Sequence, residues 1–291
     1  MALIKVTYSQ ALLDARKRLT KVIRNKESAF REAESILLHA GSLTREKLYV
    51  LLREAVPVDV LKHFINMTAL RLKNVPLQYI TGTECFYGRE FKVKQGVFIP
   101  RPDTEAVIDA VFDVNKNLPS ASVAADCGSG SGILSITMLK EADNIRQVHC
   151  FDTNKKALDL TLANALTYGV SRSVKLHKGD FFAVCRRLHL KFDLLVSNPP
   201  YIRLKALKTL QKEVLKEPRA ALTDGSHGYT FYRKFADNGK KLINPNGFIV
   251  MEIGDNMGRK IRKFFDKPEW KFVGAFKDFR GKERVLVFKL L

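Results

Sequence analysis

The sequence predicts an α/β protein with a mostly parallel, doubly wound sheet, preceded by a small helical bundle and a β-hairpin connector. Two observations predict this class. Between residues 9 and 73, apolar residues recur at the three-and-four spacing of amphipathic helices. Beyond residue 103, short apolar runs alternate with helical patterns to the end of the chain, which is typical of helices covering both faces of a parallel sheet.

The N-terminal region predicts about four helices. Apolar positions between Ala29 and Leu37 repeat at helical spacing before a stop at Gly41. Thr44 is placed to cap the next helix, and Pro57 marks the break that follows it. We expect residues 1–75 to form a helical domain whose apolar stripes are packing faces.

Glycine and proline punctuate residues 76–102, which we interpret as a connector. Within it, Phe91–Val93 and Val97–Ile99 are the predicted arms of a β-hairpin. Asp103 or Thr104 is then expected to cap the helix that opens a third region, residues 103–291. Its strand candidates are Val123–Ala125, Gln147–Phe151, Val174–Leu176, Phe192–Val196, Gly247–Ile253 and Val285–Leu290.

Composition narrows the function classes. The chain has 291 residues, a formal net charge of +20 and four cysteines that form no C-x-x-C pair, so a metal site is not expected. No apolar run approaches the roughly 20 residues that span a bilayer, which predicts a cytoplasmic protein without a membrane partner. The positive charge favours a polyanionic partner, such as nucleic acid or the ribosome, or reflects only a solvated basic surface.

A glycine-rich turn follows the first predicted strand. Its residues are Asp126, Cys127, Gly128, Ser129, Gly130, Ser131 and Gly132. Glycines at every second position let the backbone approach a ligand, so we expect a nucleotide cofactor, although a tight strand-to-helix connection would show the same pattern. The spacing differs from the dinucleotide fingerprint and from the phosphate-binding P-loop, which disfavours NAD and ATP.

Acidic residues follow the next two strands. Asp152, about 20 residues beyond the glycines, is placed to accept both hydroxyls of a ribose, or to cap the helix that begins near Lys155. Asp180 and Phe181 could bind an adenine amino group and cover the base, or Phe181 could belong to the core. With Asp126 they stand at successive strand ends, which favours the cofactor interpretation.

The fourth strand ends in Asn198, Pro199, Pro200 and Tyr201. Proline fixes φ near −65° and so fixes the neighbouring carbonyls, while the Asn198 side chain offers an acceptor oxygen. The Asn198 oxygen and the Pro199 carbonyl could accept both hydrogens of a planar NH₂ group and aim its lone pair at an electrophile. Tyr201 could stack on the group that carries the nitrogen. The alternative is a proline-rich turn that merely ends a strand.

These motifs resemble class I S-adenosylmethionine-dependent methyltransferases, whose sheet is Rossmann-like. More narrowly, the segments Pro76–Gly82, Phe86–Gly88, Ile99–Glu105 ("IPRPDTE") and Glu217–Arg219 resemble the HemK/PrmC family. That family methylates the side-chain amide of the glutamine in the Gly-Gly-Gln motif of peptide chain release factors. The resemblance covers nearly the whole chain and is weakest over residues 1–70.

The resemblance implies roles for matching residues. S-adenosylmethionine would contact Gly128–Gly132, Asp152 and Phe181. Asn198 would touch cofactor and substrate, Pro199, Pro200 and Tyr201 would line the glutamine site, and the helical domain would grip the release factor. Three features depart from the family pattern: Ser129 and Ser131 replace threonine, His227 stands where an acidic residue is common, and the segment after Tyr201 is unusually basic.

Two rival functions stay open at this stage. The same asparagine motif serves methyltransferases that act on exocyclic amino groups of DNA or RNA, which the positive charge would suit, although no target-recognition domain is evident. A protein that binds the ribosome or a release factor without catalysis is disfavoured by the intact glycines and Asn198. We expect a monomeric enzyme that contains no metal and for which nucleic acid is not required.

Overall fold

The computed structural model describes residues 5–291, which divide into two compact units. The first comprises residues 5–82 together with Gln211–Lys216, and the second comprises Thr83–Leu210 and Glu217–Leu291. In the described part of the chain, no helix has the length and apolar character needed to cross a bilayer.

The first unit is helical, as predicted. Its helices are α1 (Tyr8–Leu19), α2 (Lys26–Gly41), α3 (Arg45–Val50), α4 (Val58–Leu72) and α5 (Leu77–Thr81). The predicted boundaries are confirmed: α2 ends at Gly41, the Thr44 side chain accepts the Lys47 N–H at the start of α3, and Pro57 precedes α4. Leucine, isoleucine, alanine and phenylalanine side chains from α1 to α4 form its core.

A buried arginine ties the first unit together. Arg71 is only 4% exposed and forms ion pairs with Glu32 on α2 and with Glu213. Glu213 lies in the segment Gln211–Lys216, far along the chain from the helices. The two carboxylates balance the guanidinium, which would be costly to bury alone.

The second unit begins with a β-hairpin formed by β1 (Thr83–Phe86) and β2 (Arg89–Lys92). Tyr87 and Gly88 make a two-residue turn with φ of 50° and 71°, the positive values of a type I′ turn. The predicted arms were therefore wrong: the hairpin turns at Gly88 instead of Gly96, and residues 97–99 form no strand although Val97 and Ile99 are buried.

A seven-stranded sheet follows, and all the strand candidates are present in it. Its strands are β3 (Ser122–Cys127), β4 (Ile145–Asp152), β5 (Val174–Lys178), β6 (Phe192–Ser197), β7 (Ile243–Glu252), β8 (Trp270–Lys277) and β9 (Glu283–Leu290). The spatial order is β5-β4-β3-β6-β7-β9-β8. Strands β3 to β7 run parallel, whereas β9 pairs antiparallel with both β7 and β8.

Helices cover both faces of this sheet. They are α6 (Glu105–Asn115), α7 (Ile133–Glu141), α8 (Lys155–Thr167), α9 (Phe181–Leu188), α10 (Arg219–Leu222), α11 (Thr230–Leu242) and α12 (Gly258–Phe264). Successive strand residues point to opposite faces, so Leu194 joins one apolar core with α6 and α7, and Leu195 joins a second core with α9 and α11. The predicted doubly wound α/β class is confirmed.

Candidate active site

A cavity opens at the carboxyl ends of β3, β4, β5 and β6. Parallel strands bring their ends to one edge, so residues distant in sequence meet there. The predicted residues that line this cavity are Gly128, Ser129, Gly130, Ser131, Asp152, Asp180, Phe181, Asn198, Pro199 and Pro200. Asp126, Gly132 and Tyr201 are not among the lining residues.

The glycines of the turn have different roles. Gly128, Gly130 and Gly132 have φ of 85°, 56° and 83°, a region that side chains disfavour. A Cβ atom at Gly128 or Gly130 would meet no other atom within 4 Å, whereas at Gly132 it would lie 2.9 Å from a methyl group of Thr161. The first two glycines leave room on the cavity side, and the third lets α7 approach α8.

Side chains of α8 hold the turn in place. Thr161 Oγ1 donates to the Gly130 carbonyl at 3.1 Å, and Asn164 Nδ2 donates to the Ser131 carbonyl at 2.8 Å. The Ser129 hydroxyl lies 3.4 Å from that of Thr161. Both serines are buried, and the Ser129 hydroxyl lies against α8.

Asp152 connects the turn to the end of β4. Its Oδ2 accepts the Gly130 N–H at 3.1 Å, and its Oδ1 accepts the Asn154 N–H at 2.8 Å. Burial raises the pKa of this carboxyl, and the backbone hydrogen bonds oppose that rise. The capping alternative for Asp152 is wrong, because Asn154 caps α8 through the Lys156 N–H. Each Asp152 oxygen retains a lone pair for a ligand hydroxyl.

Asp126 lies beneath the cavity and is fully buried. Its Oδ2 accepts the Ser135 hydroxyl at 2.5 Å, while its Oδ1 has no hydrogen-bond partner within the described chain. Burial is the main cause that raises the pKa of Asp126 to about 7, and the nearby Asp152 charge adds to it. Asp126 thus supports the turn from the α7 side, and a direct contact with the cofactor stays a prediction.

Asp180 and Phe181 stand together on the β5 side of the cavity. Asp180 caps α9 by accepting the Ala183 N–H at 2.9 Å, which fixes its carboxylate at the strand end. Phe181 is 4% exposed and meets Phe151 edge to face, with ring centroids 4.9 Å apart. Phe181 therefore belongs to the core and to the cavity wall at once.

Asn198 enters the cavity with its amide oriented. Its Nδ2 donates to Thr104 Oγ1 at 3.1 Å, which leaves the amide oxygen as an acceptor in the cavity that Asn198 lines. The predicted capping role of Thr104 is wrong: α6 begins at Glu105 after a 3₁₀ turn at Pro102–Thr104, and no side chain caps it. The Thr104 hydroxyl serves Asn198 instead.

Tyr201 lies behind the two prolines. Its hydroxyl donates to Glu252 Oε1 at 2.9 Å. Its carbonyl packs against Gly228, which has φ of 79°, and a Cβ atom there would lie 2.0 Å from the Tyr201 oxygen. Asp224 accepts the Gly228 N–H at 2.9 Å and so fixes the loop containing His227. The predicted stacking of Tyr201 on the substrate stays a prediction.

Glu252 was missed by sequence reasoning. It ends β7, is 1% exposed and has one carboxylate oxygen, Oε2, without a partner in the described chain. Burial raises the pKa of Glu252 to about 7, and the hydroxyl groups of Thr104 and Tyr201, of which the second donates to the carboxyl, oppose the rise. A single charged residue between the apolar run Phe248–Met251 and Ile253 was the available signal, because buried charges need partners.

The cavity fits a nucleoside that carries a sulfonium side chain. Open space stands where Gly128 and Gly130 would otherwise carry Cβ atoms. Asp152 offers acceptors for ribose hydroxyls at the end of β4, and Phe181 offers a ring at the start of α9, just after the neighbouring strand β5. The arrangement of sheet, glycine turn and strand-end carboxylate defines a class I S-adenosylmethionine-dependent methyltransferase.

Comparisons with known proteins agree with this class and narrow it. Residues 103–245 match the Methyltransferase small domain, and residues 10–82 match the PrmC N-terminal domain. The methyltransferase of Pyrococcus furiosus has a similar fold, with a TM-score of 0.51 at 18% identity over 77% of this chain and 98% of that one.

Curated relatives identify the family. Release factor glutamine methyltransferases of Moorella thermoacetica, Bacillus subtilis and Aquifex aeolicus are 35%, 34% and 33% identical to this chain. The matches cover 96%, 96% and 93% of this chain and 97%, 96% and 95% of those proteins, in the same order. The chain belongs to the release factor glutamine methyltransferase family, also called HemK/PrmC.

Proposed function

We propose that this protein transfers a methyl group from S-adenosylmethionine to the side-chain amide nitrogen of the glutamine in the Gly-Gly-Gln motif of peptide chain release factors. The observation that carries the proposal is that Asn198 lines the same cavity as Gly128 and Gly130 while its Nδ2 donates to Thr104, so that its amide oxygen is left to accept from a substrate. An amide oxygen beside the glycine turn could accept a hydrogen bond from a planar NH₂ group held next to the cofactor. The names of the relatives specify a release-factor glutamine.

When bound, S-adenosylmethionine supplies a methyl group that is already strongly electrophilic, so the protein's task is alignment. Asn198 Oδ1 and the Pro199 carbonyl accept the two hydrogens of the substrate amide and hold its nitrogen in one orientation. Pro199 and Pro200 keep this wall stiff because their φ angles are fixed. Neither a nucleophilic cysteine nor a histidine is needed for this step.

A hydrogen bond between strands keeps the two halves of the site in register. Ser197 Oγ donates to the Cys127 carbonyl at 2.7 Å, so the residue before Asn198 is tied to the residue before Gly128. Both groups are buried, where a hydrogen bond is less exposed to competition from water. The sheet thereby fixes the distance between Asn198 and the glycine turn.

The remaining parts of the proposal concern partners and location. The helical region, predicted as residues 1–75, would grip the release factor, with residues 76–102 as connector and residues 103–291 as the catalytic domain. The protein would act as a monomer in the cytoplasm, where release factors work. A nucleic-acid substrate is not favoured. The net charge of +20 would then serve contact with the ribosome or with RNA, or would have no binding role.

The test is methyl transfer from radiolabelled S-adenosylmethionine. The protein is incubated in parallel with a release factor, with the same factor carrying Gln→Ala in its Gly-Gly-Gln motif, with ribosomal RNA and with duplex DNA. We expect label on the intact factor alone. Label on nucleic acid without label on the factor would overturn the proposal, as would equal label on the Gln→Ala factor.

A further inference from the structure

The helices on the two faces of the large sheet differ in charge. Helices α9, α11 and α12, which pack on the core that contains Leu195, carry ten lysine or arginine residues and one acidic residue, Asp237. Helices α6, α7 and α8, on the other face, carry three lysines and five acidic residues. A basic composition alone would distribute cations over both faces, so the asymmetry needs another cause.

The ten cations lie at the protein surface, where nine are exposed and Arg262 is half-buried. They are Arg186 and Arg187 on α9, Arg233, Lys234, Lys240 and Lys241 on α11, and Arg259, Lys260, Arg262 and Lys263 on α12. In the described chain, Arg262 alone among them forms an ion pair, with Glu283 at 2.9 Å. Asp237 is itself paired with Lys267 at 2.6 Å. The surface of these three helices, which we call the basic surface, therefore carries positive charge that its carboxylates do not neutralise.

Contacts between the helices join the cations into one continuous surface, with α11 in the middle. The Lys234 ammonium of α11 lies over the ring of Phe182 on α9, 5.5 Å from its centroid. The Arg233 guanidinium, also of α11, lies over the ring of Phe264 on α12, 5.0 Å from its centroid. Contacts of this kind hold a cation over the face of a ring, so less conformational freedom is lost when the cation binds a ligand.

The side chains of the basic surface indicate the class of partner. Protein interfaces have an apolar or aromatic centre, and helices that lie on membranes insert apolar side chains between their cations. On α9, α11 and α12, the only exposed large apolar side chain is that of Leu188, at the end of α9. Cations without apolar residues between them suit a regularly repeated anion, and a nucleic-acid duplex presents one phosphate charge for about every 1.7 Å of its axis.

We propose that the basic surface binds the phosphate backbone of RNA. The choice of RNA rests on the proposed function, because a substrate that belongs to translation is used where RNA is the abundant polyanion. Phe231, two residues before Arg233 on α11, lines the active-site cavity. The basic surface therefore begins at the wall of the cavity, and RNA bound to it would lie next to the active site without entering it.

The test compares two triple variants that have the same net charge. The first neutralises one exposed cation on each helix of the basic surface, by Arg187→Gln, Lys241→Gln and Lys263→Gln. The second neutralises one exposed cation on or next to each of α6, α7 and α8, by Lys116→Gln, Lys140→Gln and Lys155→Gln. Fluorescence anisotropy measures the binding of each full-length protein to a labelled RNA hairpin of about 20 base pairs, at salt concentrations from about 50 to 200 mM.

The first variant is expected to lose at least tenfold in affinity for the hairpin. Its plot of log affinity against log salt should become shallower by about 3, which is roughly 1 for each lost phosphate contact. The second variant is expected to bind with nearly the affinity of the wild type. Equal losses in both variants would overturn the assignment to this surface. Binding of the wild type to phosphatidylserine vesicles or to polyglutamate, without binding to the hairpin, would overturn the choice of partner.

A measurement in cells distinguishes RNA from DNA. After ultraviolet cross-linking, the purified wild-type protein is expected to carry nucleic acid that ribonuclease removes and deoxyribonuclease leaves. Nucleic acid that only deoxyribonuclease removes, or none, would overturn the choice of RNA. Neither measurement uses S-adenosylmethionine or a release factor. RNA binding without methylation of the release factor would uphold this inference and reject the proposed substrate, whereas methylation without RNA binding would do the reverse.

Discussion

Two glycines of the same turn should fail in different ways when each is replaced by alanine. Gly130 lines the cavity, and a Cβ atom there would meet nothing within 4 Å. Gly132 does not line it, and its Cβ atom would lie 2.9 Å from Thr161 Cγ2 and 3.2 Å from Thr161 Cα. The first substitution fills ligand space, and the second forces α7 against α8.

The magnitudes follow from strain and contact. Alanine in the left-handed region costs roughly 1–2 kcal/mol at either position. At Gly132 the clash involves backbone of α8, which cannot rotate away, and overpacking of this kind adds about 1–3 kcal/mol. We therefore expect Gly132→Ala to lose about 2–5 kcal/mol in its free energy of unfolding.

The two variants should rank in the opposite order by their loss of affinity for S-adenosylmethionine. In Gly130→Ala, the added methyl group should weaken S-adenosylmethionine binding at least tenfold, about 1.4 kcal/mol or more. Calorimetric titration measures the Kd, and urea denaturation measures stability. Gly169→Ala is the control for strain alone, since Gly169 has φ of 71°, no atom within 4 Å of a Cβ and no place in the cavity wall. Equal losses of stability in Gly130→Ala and Gly132→Ala would refute the assignment of roles.

Three further predictions address other parts of the molecule. Asn198→Ala should bind S-adenosylmethionine with nearly the wild-type Kd in calorimetry and yet lower kcat by about 100-fold or more, as for a lost transition-state contact; wild-type turnover would contradict the role assigned to it. The pKa of Asp126 is raised to about 7, so the folded state holds a proton that the unfolded state releases near pH 4. Stability should therefore fall by up to about 1.4 kcal/mol per pH unit as the pH rises from 4 to 7, and urea denaturation of Asp126→Asn should lack this component. Arg71→Met should leave Glu32 and Glu213 facing each other without a cation and cost about 3 kcal/mol, measured as a lower unfolding midpoint; an unchanged midpoint would show that the ion pairs contribute nothing net.

The elements of this fold that could be predicted are those with a local pattern in the sequence. Short apolar runs mark the parallel strands because both faces are buried, as in Leu194–Val196 of β6. Caps and breaks such as Thr44 and Pro57 also act locally, so the helices of the first unit could be bounded from sequence. The glycine turn and Asn198 were found because each directly follows a buried strand.

Other elements depended on contacts that no local pattern reveals. Strand β8, Trp270–Lys277, has an exposed edge position and half-exposed side chains, so it lacks the continuous apolar run of the central strands. The hairpin turn was misplaced because Tyr87 adopts φ of 50°, which a tyrosine does only when the surroundings stabilise it.

The residues that form hydrogen bonds with the site residues could not be predicted from the sequence either. Thr104 and Asn198 are 94 residues apart, and Tyr201 and Glu252 are 51 apart, yet each pair is joined by a hydrogen bond. Sequence proximity suggested that Thr104 would cap its own helix, and tertiary structure gave its hydroxyl a different partner. Residues at strand ends could be assigned to the site from the sequence, whereas the residues that form hydrogen bonds with them could not.

The contact between Gly228 and the Tyr201 carbonyl has a consequence for engineering. Any side chain at position 228 would push that carbonyl, since a Cβ atom would lie only 2.0 Å from it. Pro199 and Pro200 have fixed φ angles, so the short segment between Tyr201 and Asn198 has few torsions that could absorb the displacement. A loop transplanted over residues 224–229 must therefore keep a glycine at 228. Otherwise the graft would displace the backbone of Tyr201, three residues after Asn198.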